Sequence, residues 1–281
     1  MLAVVLGSDG EPGLADIAEP PPPGDLVDVL ACGLCGSDVE KIGVAAPGTV
    51  LGHEVVGRAA DGRRVALIHH AGCGTCRRCL AGHESTCERF PEPTIVPGGF
   101  AERVRASGWV ELPDAVDDAR GTYAEPLACV LRGAERVPQG RVLIVGNGFI
   151  GRLFGAVLER RGDTVFAVDL HPHRAGVAPD GPVDASVLCA AGAGETALAA
   201  VAPGGTVLLF ADAGTLPADG VYRRELTVIG SRSATPAHMQ DAVALLSTLD
   251  LPEPAVLPLA RFGEALALHR EGAAFKVVLV P

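Results

Sequence analysis

The chain has 281 residues, of which 48% are apolar, and a formal net charge of −11. This length is sufficient for two domains with separate cores, and the negative charge argues against binding to nucleic acid or to an anionic membrane surface. The N-terminal stretch MLAVVLGSDG has no basic residue and only a short apolar run, which predicts no signal peptide and a cytoplasmic protein with reduced cysteines.

Short strands are predicted for roughly the first 120 residues. Residues 26–33, 55–68 and 99–106 are apolar or alternate between apolar and polar, and glycines and prolines separate them. This part of the chain therefore reads as rich in strands and loops.

Helices and strands alternate in the rest of the chain. Residues 121–137 have helical spacing, and residues 140–170 read as a strand, a glycine turn, a helix and a second strand. Further strands and helices follow in the order 184–192, 194–201, 204–212, 226–231 and 236–249, before a last helix and a closing strand. This alternation predicts an α/β fold with a doubly wound parallel sheet.

One stretch of fifteen residues contains half of the chain's cysteines, namely Cys73, Cys76, Cys79 and Cys87. Four thiolates fill the tetrahedral shell of Zn²⁺ and leave no position for a substrate, so the spacing predicts a structural zinc. A ferredoxin cluster has a shorter last gap followed by proline, whereas Glu88 follows here, and a cytoplasmic location disfavours disulfides.

A G-x-G-x-x-G motif follows the strand RVLIV and opens a helix. Its glycines are Gly146, Gly148 and Gly151, with Phe149 and Ile150 between the last two. Glycines in this context permit a tight turn and a close approach of the backbone to a pyrophosphate at the helix N-terminus. The motif therefore predicts a dinucleotide site.

The choice between NAD and NADP depends on the end of the next strand. Asp169 is placed to accept hydrogen bonds from the ribose diol and would repel a 2′-phosphate, which favours NAD. NADP remains open, because His171, His173 and Arg174 follow closely and could receive a phosphate.

The segment after Asp169 is too short for a full crossover. About fourteen residues, three of them proline, separate it from the strand near Asp184. We therefore expect the third strand of this sheet, or its flanking helix, to be missing or vestigial.

A second set of ligand-type side chains is scattered along the chain, at Cys35, His53, Glu54 and Glu125. A catalytic zinc is typically held by a small number of protein ligands, and one position of its shell stays open for water or substrate. His69 and His70 are interpreted as structural, because no partner motif is visible.

Together these motifs resemble the zinc-dependent medium-chain dehydrogenase/reductase family, which includes alcohol, sorbitol, threonine and glucose dehydrogenases. The resemblance is carried by CGLCGSD, GHEVVG, the four-cysteine stretch, EPLA, GNGFIG and FKVVLVP. It implies a GroES-like β-barrel catalytic domain over 1–124 and 256–281, with the structural-zinc lobe at about 70–90, and a Rossmann NAD-binding domain over 125–255. It also implies a homodimer or homotetramer, with 226–231 as the candidate edge strand.

The resemblance also assigns roles. Cys35 and His53 would bind a catalytic zinc, and Glu54 or Glu125 would complete its shell. Ser37 would take the proton of the substrate hydroxyl, and Glu40 stands where many members have a relay histidine.

The resulting hypothesis is an NAD(P)-dependent zinc dehydrogenase that interconverts a secondary alcohol and a ketone. Only seventeen residues separate Cys35 from His53, which is short for the loop on the substrate side of the pocket. A short loop there favours a larger or more exposed substrate, such as a polyol, sugar or cyclitol-like molecule. The alternatives are a zinc-independent reductase of the same fold and a catalytically silent, zinc-stapled binding protein. A zinc deaminase is disfavoured, because the H-x-E and P-C-x-x-C patterns are absent from the sequence.

Overall fold

The structure is a computed structural model that describes residues 1–90 and 92–281. Its first part contains β1 (Leu2–Leu6), β2 (Pro12–Asp16), β3 (Asp25–Gly33), α1 (Gly36–Val39), β4 (Glu54–Ala59), β5 (Arg64–Leu67), α2 (Arg77–Leu80), β6 (Ile95–Val96), β7 (Arg103–Ala106), β8 (Trp109–Glu111) and α3 (Asp118–Gly121). Next come α4 (Ala124–Ala134), β9 (Arg141–Val145), α5 (Phe149–Arg161), β10 (Thr164–Val168), β11 (Val183–Leu188), α6 (Gly194–Ala200), β12 (Val201–Leu209), α7 (Ala218–Arg223) and β13 (Thr227–Gly230). The chain ends with α8 (Pro236–Leu246), β14 (Ala255–Pro258), α9 (Phe262–Glu271) and β15 (Val277–Val280).

The chain divides into two compact units. One comprises residues 1–128 and 234–281, and the other comprises residues 129–233. The sequence predicts a nucleotide-binding domain over 125–255, whereas the compact unit with the parallel sheet ends at 233, and α8 packs against β8 of the first unit.

The first unit is built on an eight-stranded, mostly antiparallel sheet. Its strands follow the order β14-β15-β3-β4-β5-β8, with β7 also paired to β3 and β6 paired to β7. The stretch 55–68, predicted as one strand, forms two strands joined by a turn, because Asp61 and Gly62 interrupt the apolar run. Buried aliphatic side chains of β3, β4 and β5 pack with Phe100 and Phe262 in the core.

The closing strand belongs to this first unit, as the family resemblance implies. In β15, Leu279 pairs antiparallel with Cys32 of β3. The short strand β14, which the sequence analysis missed, runs parallel to β15 on its other side.

The second unit contains a parallel sheet of five strands in the order β10-β9-β11-β12-β13. Apolar residues of β9, β11 and β12 are buried against α6, which explains the nearly continuous apolar runs of these strands. The predicted α/β fold with a doubly wound parallel sheet is confirmed.

The third strand of this sheet is vestigial, as expected. Within residues 1–90 and 92–281, the only trace of it is the segment at Gly176 and Val177, which exchanges two backbone hydrogen bonds with Ala167 of β10. Residues 169–182 include a turn at 171–174 and no helix or strand. The sheet therefore ends at β10 on this side, where a further strand would otherwise follow.

No helix among the described residues is long and apolar enough to cross a membrane.

Candidate functional site

Three of the four side chains predicted for a catalytic zinc converge where β3 ends and β4 begins. Cys35 lies between β3 and α1, His53 directly precedes β4, and Glu54 is its first residue. The Sγ atom of Cys35, a ring nitrogen of His53 and a carboxylate oxygen of Glu54 all lie within 4.8 Å of one another. A thiolate, an imidazole and a carboxylate in this arrangement are a donor set that suits zinc.

A buried carboxylate orients His53. Asp38 in α1 is 1% exposed, and its Oδ1 lies 3.1 Å from Nδ1 of His53. The same carboxylate accepts hydrogen bonds from the backbone N–H groups of Cys35 and Gly52. Burial would raise the pKa of Asp38, but His53 and these N–H groups outweigh it and hold that pKa below its usual value. With Nδ1 facing Asp38, Nε2 remains for a metal ion.

A buried ion pair holds Glu54. Lys276, 5% exposed, donates from Nζ to Oε1 of Glu54 at 2.7 Å and lies 2.5 Å from Oε2. Burial would lower the pKa of Lys276, but the charge of Glu54 outweighs it and raises that pKa. The second oxygen of the carboxylate is buried and accepts no well-aligned hydrogen bond from the described residues, although the Lys276 ammonium lies against it. Gly33 makes the room, because a Cβ there would collide with this oxygen.

The remaining predicted catalytic residues are Ser37, Glu40 and Glu125. The Ser37 hydroxyl is exposed and points to Cys35 Sγ at 3.4 Å. Glu40 is exposed at the end of α1, and the half-buried Glu125 in the first turn of α4 is outside the three-residue group. The structure thus separates the two candidate carboxylates and groups Glu54 with Cys35 and His53.

The ring of His69 lies beside that of His53, with centroids 4.4 Å apart and ring planes inclined by 32°. Burial lowers the pKa of His69 far below its usual value, and the neighbouring His53, His70 and Lys41 lower it further. This residue is therefore a neutral imidazole beside the candidate ligands.

The four-cysteine stretch forms a second cluster around α2. All four Sγ atoms lie within 4.8 Å of one another, and two pairs, Cys73–Cys79 and Cys76–Cys87, are 4.0 and 3.9 Å apart. A tetrahedral zinc with Zn–S bonds of about 2.3 Å separates sulfurs by about 3.8 Å, so the cluster fits the ion. The hydroxyl of Thr75, followed by backbone N–H groups, lowers the pKa of Cys73 to about 6, which favours the thiolate.

The glycine turn of the second unit has the close packing that a dinucleotide site requires. Gly146 has φ 95°, and a Cβ there would lie 2.6 Å from Cβ of Ala190. A Cβ on Gly151 would collide with the carbonyl of Gly146, and Gly148 is the N-cap of α5, where Phe149 and Ile150 form the first turn. Because these glycine positions carry no side chain, the backbone N–H groups at the N-terminus of α5 can be approached closely by a ligand.

A cavity of about 630 Å³ opens beside this turn. Its lining includes the first two glycines of the motif, Asp169, His171 and Arg174. The Asp169 carboxylate accepts hydrogen bonds from the backbone N–H groups of Asn147 and His171, each at 2.8 Å. An anionic group with unused lone pairs therefore faces the cavity where an adenosine ribose would bind.

The sequence analysis did not assign roles to Asp38 and Lys276, and it interpreted His69 as structural. Both charged residues lie in motifs quoted above, CGSD and FKVVLVP. Asp38 follows Cys35 by three residues, one helical turn, and Lys276 is a single charge directly before the apolar strand β15. A charge in such a position needs a buried partner, and that was the signal available.

Comparison with known proteins agrees with this geometry. Residues 23–114 match the family model described as the alcohol dehydrogenase GroES-like domain. The chain is 31% identical over 296 residues to D-altritol 5-dehydrogenase of Agrobacterium fabrum, an alignment that covers 85% of the chain and 86% of that protein.

Other similarities cover different shares of the chain. It is 31% identical over 178 residues to L-galactonate-5-dehydrogenase of Escherichia coli, and this alignment covers 56% of the chain and about half, 52%, of that relative. A zinc-binding dehydrogenase of Sinorhizobium meliloti, crystallised with NADP, superposes with a TM-score of 0.84 at 26% identity, covering 100% of this chain and 99% of the other.

Proposed function

The chain belongs to the zinc-type alcohol dehydrogenases of the medium-chain dehydrogenase/reductase family, and we propose that it oxidises a secondary alcohol of a polyol or sugar acid to a ketone, with NAD as hydride acceptor. The observation that carries this proposal is the convergence of Cys35, His53 and Glu54 within 4.8 Å. Three ligands leave one position of a zinc ion for the substrate.

The ligand assignment follows from the contacts of each side chain. Cys35 and His53 hold the zinc, and Glu54 is the third ligand, since it is the carboxylate grouped with them. Glu125 is assigned to the water or substrate side. The bound zinc supplies a Lewis acid that lowers the pKa of the substrate hydroxyl.

The chain's own residues move the proton and fix the geometry. Asp38 keeps the His53 ring in one orientation, and Lys276 balances the charge of Glu54. Ser37, exposed and beside Cys35, accepts the hydroxyl proton and passes it to solvent. Glu40 follows one turn later as the next group on that route.

The cofactor accounts for the two electrons. Bound NAD⁺ would supply the acceptor for the hydride released when the C–H bond of the alcohol carbon breaks, and Ser37 would take the O–H proton, which leaves a ketone. Gly146, Gly148 and Gly151 bind the pyrophosphate and Asp169 binds the adenosine ribose. Because a similar dehydrogenase was crystallised with NADP, a preference for NADP over NAD is the alternative that has to be tested.

The substrate class is inferred from the names of the relatives. D-Altritol and L-galactonate are polyhydroxylated chains on which these relatives act at carbon 5, according to those names. The short connection between Cys35 and His53 leaves an open rim that suits such a molecule.

The four-cysteine cluster is proposed to hold a second, structural zinc, because four thiolates leave no open position. We also propose a dimer through β13, which is an edge strand of its sheet and could pair with the same strand of a two-fold partner. Light scattering on the protein in solution measures that assembly.

One experiment tests the function. Protein stripped by a chelator and then reloaded with zinc is mixed with NAD⁺ and a panel of polyols and sugar acids, and NADH absorbance is followed. Zinc-dependent NADH formation supports the proposal. Equal rates with and without zinc would indicate a zinc-independent reductase, and no reaction with any member of the panel would indicate a silent binding protein.

A further inference from the structure

A stack of three rings extends from His53 away from the candidate ligands. The His69 centroid lies 4.4 Å from that of His53, His70 lies 3.8 Å from His69, and Phe90 lies 4.0 Å from His70. The His69 ring therefore contacts two other rings, and these contacts restrict its orientation.

The backbone around His69 is also held. The neighbouring Ile68 donates its N–H to the carbonyl of Gly108 at 3.0 Å. The hydroxyl of Thr94 donates to the carbonyl of His69 itself. These bonds tie the end of β5 to two other segments of the first unit, so the backbone that carries the His69 ring is fixed in position.

The polar atoms of this ring are unused by the protein. Across residues 1–90 and 92–281, neither ring nitrogen of His69 has a hydrogen-bond partner. An imidazole has two ring nitrogens that can hydrogen-bond, and polar groups shielded from solvent normally find partners. The residue is half-buried, so part of it is exposed to solvent.

We propose that His69 is a specificity-determining residue that hydrogen-bonds a second oxygen of the substrate, on the carbon next to the one oxidised. The inference rests on the proposed function, since it takes the reacting oxygen to bind beside Cys35, His53 and Glu54. With the His53 and His69 rings 4.4 Å apart, oxygens on adjacent carbons can reach the two residues at once. The substrate class is thus a vicinal diol, and the product is an α-hydroxy ketone.

The test uses a matched pair of alcohols, 2,3-butanediol and 2-butanol, which differ by one hydroxyl on the adjacent carbon. His69→Phe keeps an aromatic ring in the stack and removes both nitrogens. We expect kcat/KM for the diol to fall by about 10- to 100-fold, as for a lost hydrogen bond in a shielded site, while the value for 2-butanol is unchanged. His69→Gln, which retains a donor and an acceptor, should restore part of the preference for the diol.

A binding measurement separates recognition from turnover. Calorimetry on zinc-loaded protein with NADH, which cannot oxidise an alcohol, should show a weaker diol complex in His69→Phe by the same factor. The matched control is His70→Phe, the same substitution one ring further from His53, which should leave the ratio between the two alcohols unchanged.

The outcomes are distinct. Equal losses for both alcohols in His69→Phe would mean that the ring acts only through His53 or through packing, and no loss would mean that it does not touch the substrate, so either result overturns the inference. A wild-type protein that oxidises no alcohol refutes the proposed function instead, and diol binding then still decides the role of His69.

Discussion

Nδ1 of His53 and Oδ1 of Asp38 lie 3.1 Å apart, and both side chains are buried. This contact fixes which ring nitrogen faces the other candidate ligands. A hydrogen-bonded carboxylate behind a ligand histidine typically contributes 10- to 100-fold to metal affinity, to order of magnitude.

The first prediction concerns this pair. Asp38→Asn keeps the shape and loses the charge, so zinc affinity at the Cys35 site should fall by about 10- to 100-fold. Competition with a chromogenic chelator measures it. Asp61→Asn is the control, because Asp61 is exposed and pairs with Arg63, and its zinc affinity should equal wild type. An Asp38→Asn protein with wild-type affinity would show that the contact does not orient a ligand.

The second prediction concerns the ion pair between Lys276 and Glu54. Lys276→Met leaves a carboxylate buried without its cation, which costs about 3–5 kcal/mol of unfolding free energy. The double variant with Glu54→Gln should recover part of that loss. Arg261→Met removes an exposed partner of Glu264 and should cost less than about 1 kcal/mol. Urea unfolding followed by circular dichroism compares the free energies of unfolding of these variants. Equal losses in Lys276→Met and Arg261→Met would contradict the role of burial.

The third prediction distinguishes the two metal sites. Cys76→Ser should lower stability or assembly first, since it opens a closed thiolate shell, whereas Cys35→Ser should abolish turnover and leave the fold largely intact. Metal content, thermal unfolding and NADH formation are measured on both. A Cys76→Ser protein as stable as wild type but inactive would mean that the two sites are assigned the wrong way round.

The sequence predicted most of the architecture because its signals are local. The glycine motif, the alternation of elements after about residue 120 and the shortage of chain between Asp169 and Asp184 gave the parallel sheet and its vestigial third strand. The hairpin within 55–68 was missed, because one apolar run with a polar interruption resembles a single bulged strand.

The partners within the site could not be read in the same way. Lys276 and Glu54 are 222 residues apart in the chain, and only the pairing of β15 with β3 and of β3 with β4 brings them together. The contact of His69 with His53 likewise depends on the antiparallel register of β4 and β5. Such contacts follow from sheet topology and leave no mark in local spacing.

The fourth prediction concerns cofactor choice. Asp169→Asn keeps one of the two oxygens that accept hydrogen bonds from the N–H groups of Asn147 and His171, and it removes the charge that would repel a 2′-phosphate. The ratio of kcat/KM for NAD to that for NADP should fall at least about tenfold, equivalent to about 1.4 kcal/mol. Asp212→Asn, at an exposed position outside the lining of the cavity, should leave the ratio unchanged. If Asp169→Asn also leaves it unchanged, this carboxylate does not select the cofactor.

The last prediction compares two glycines one turn apart in α5. A Cβ on Gly151 would collide with the carbonyl of Gly146 and lie 3.0 Å from Ile144. Gly151→Ala should therefore cost about 1–3 kcal/mol through overpacking and weaken NAD binding. A Cβ on Gly155 would meet Ile144 at an ordinary 3.6 Å. Gly155→Ala should hence be neutral or stabilise the helix by up to about 1 kcal/mol, with NAD affinity unchanged. Urea unfolding and NAD titration of the two variants measure both effects.

Since the substitution and the helix are the same, a difference between the two variants reports the close approach at the glycine turn. Equal behaviour of the two variants would remove the packing basis for the dinucleotide site.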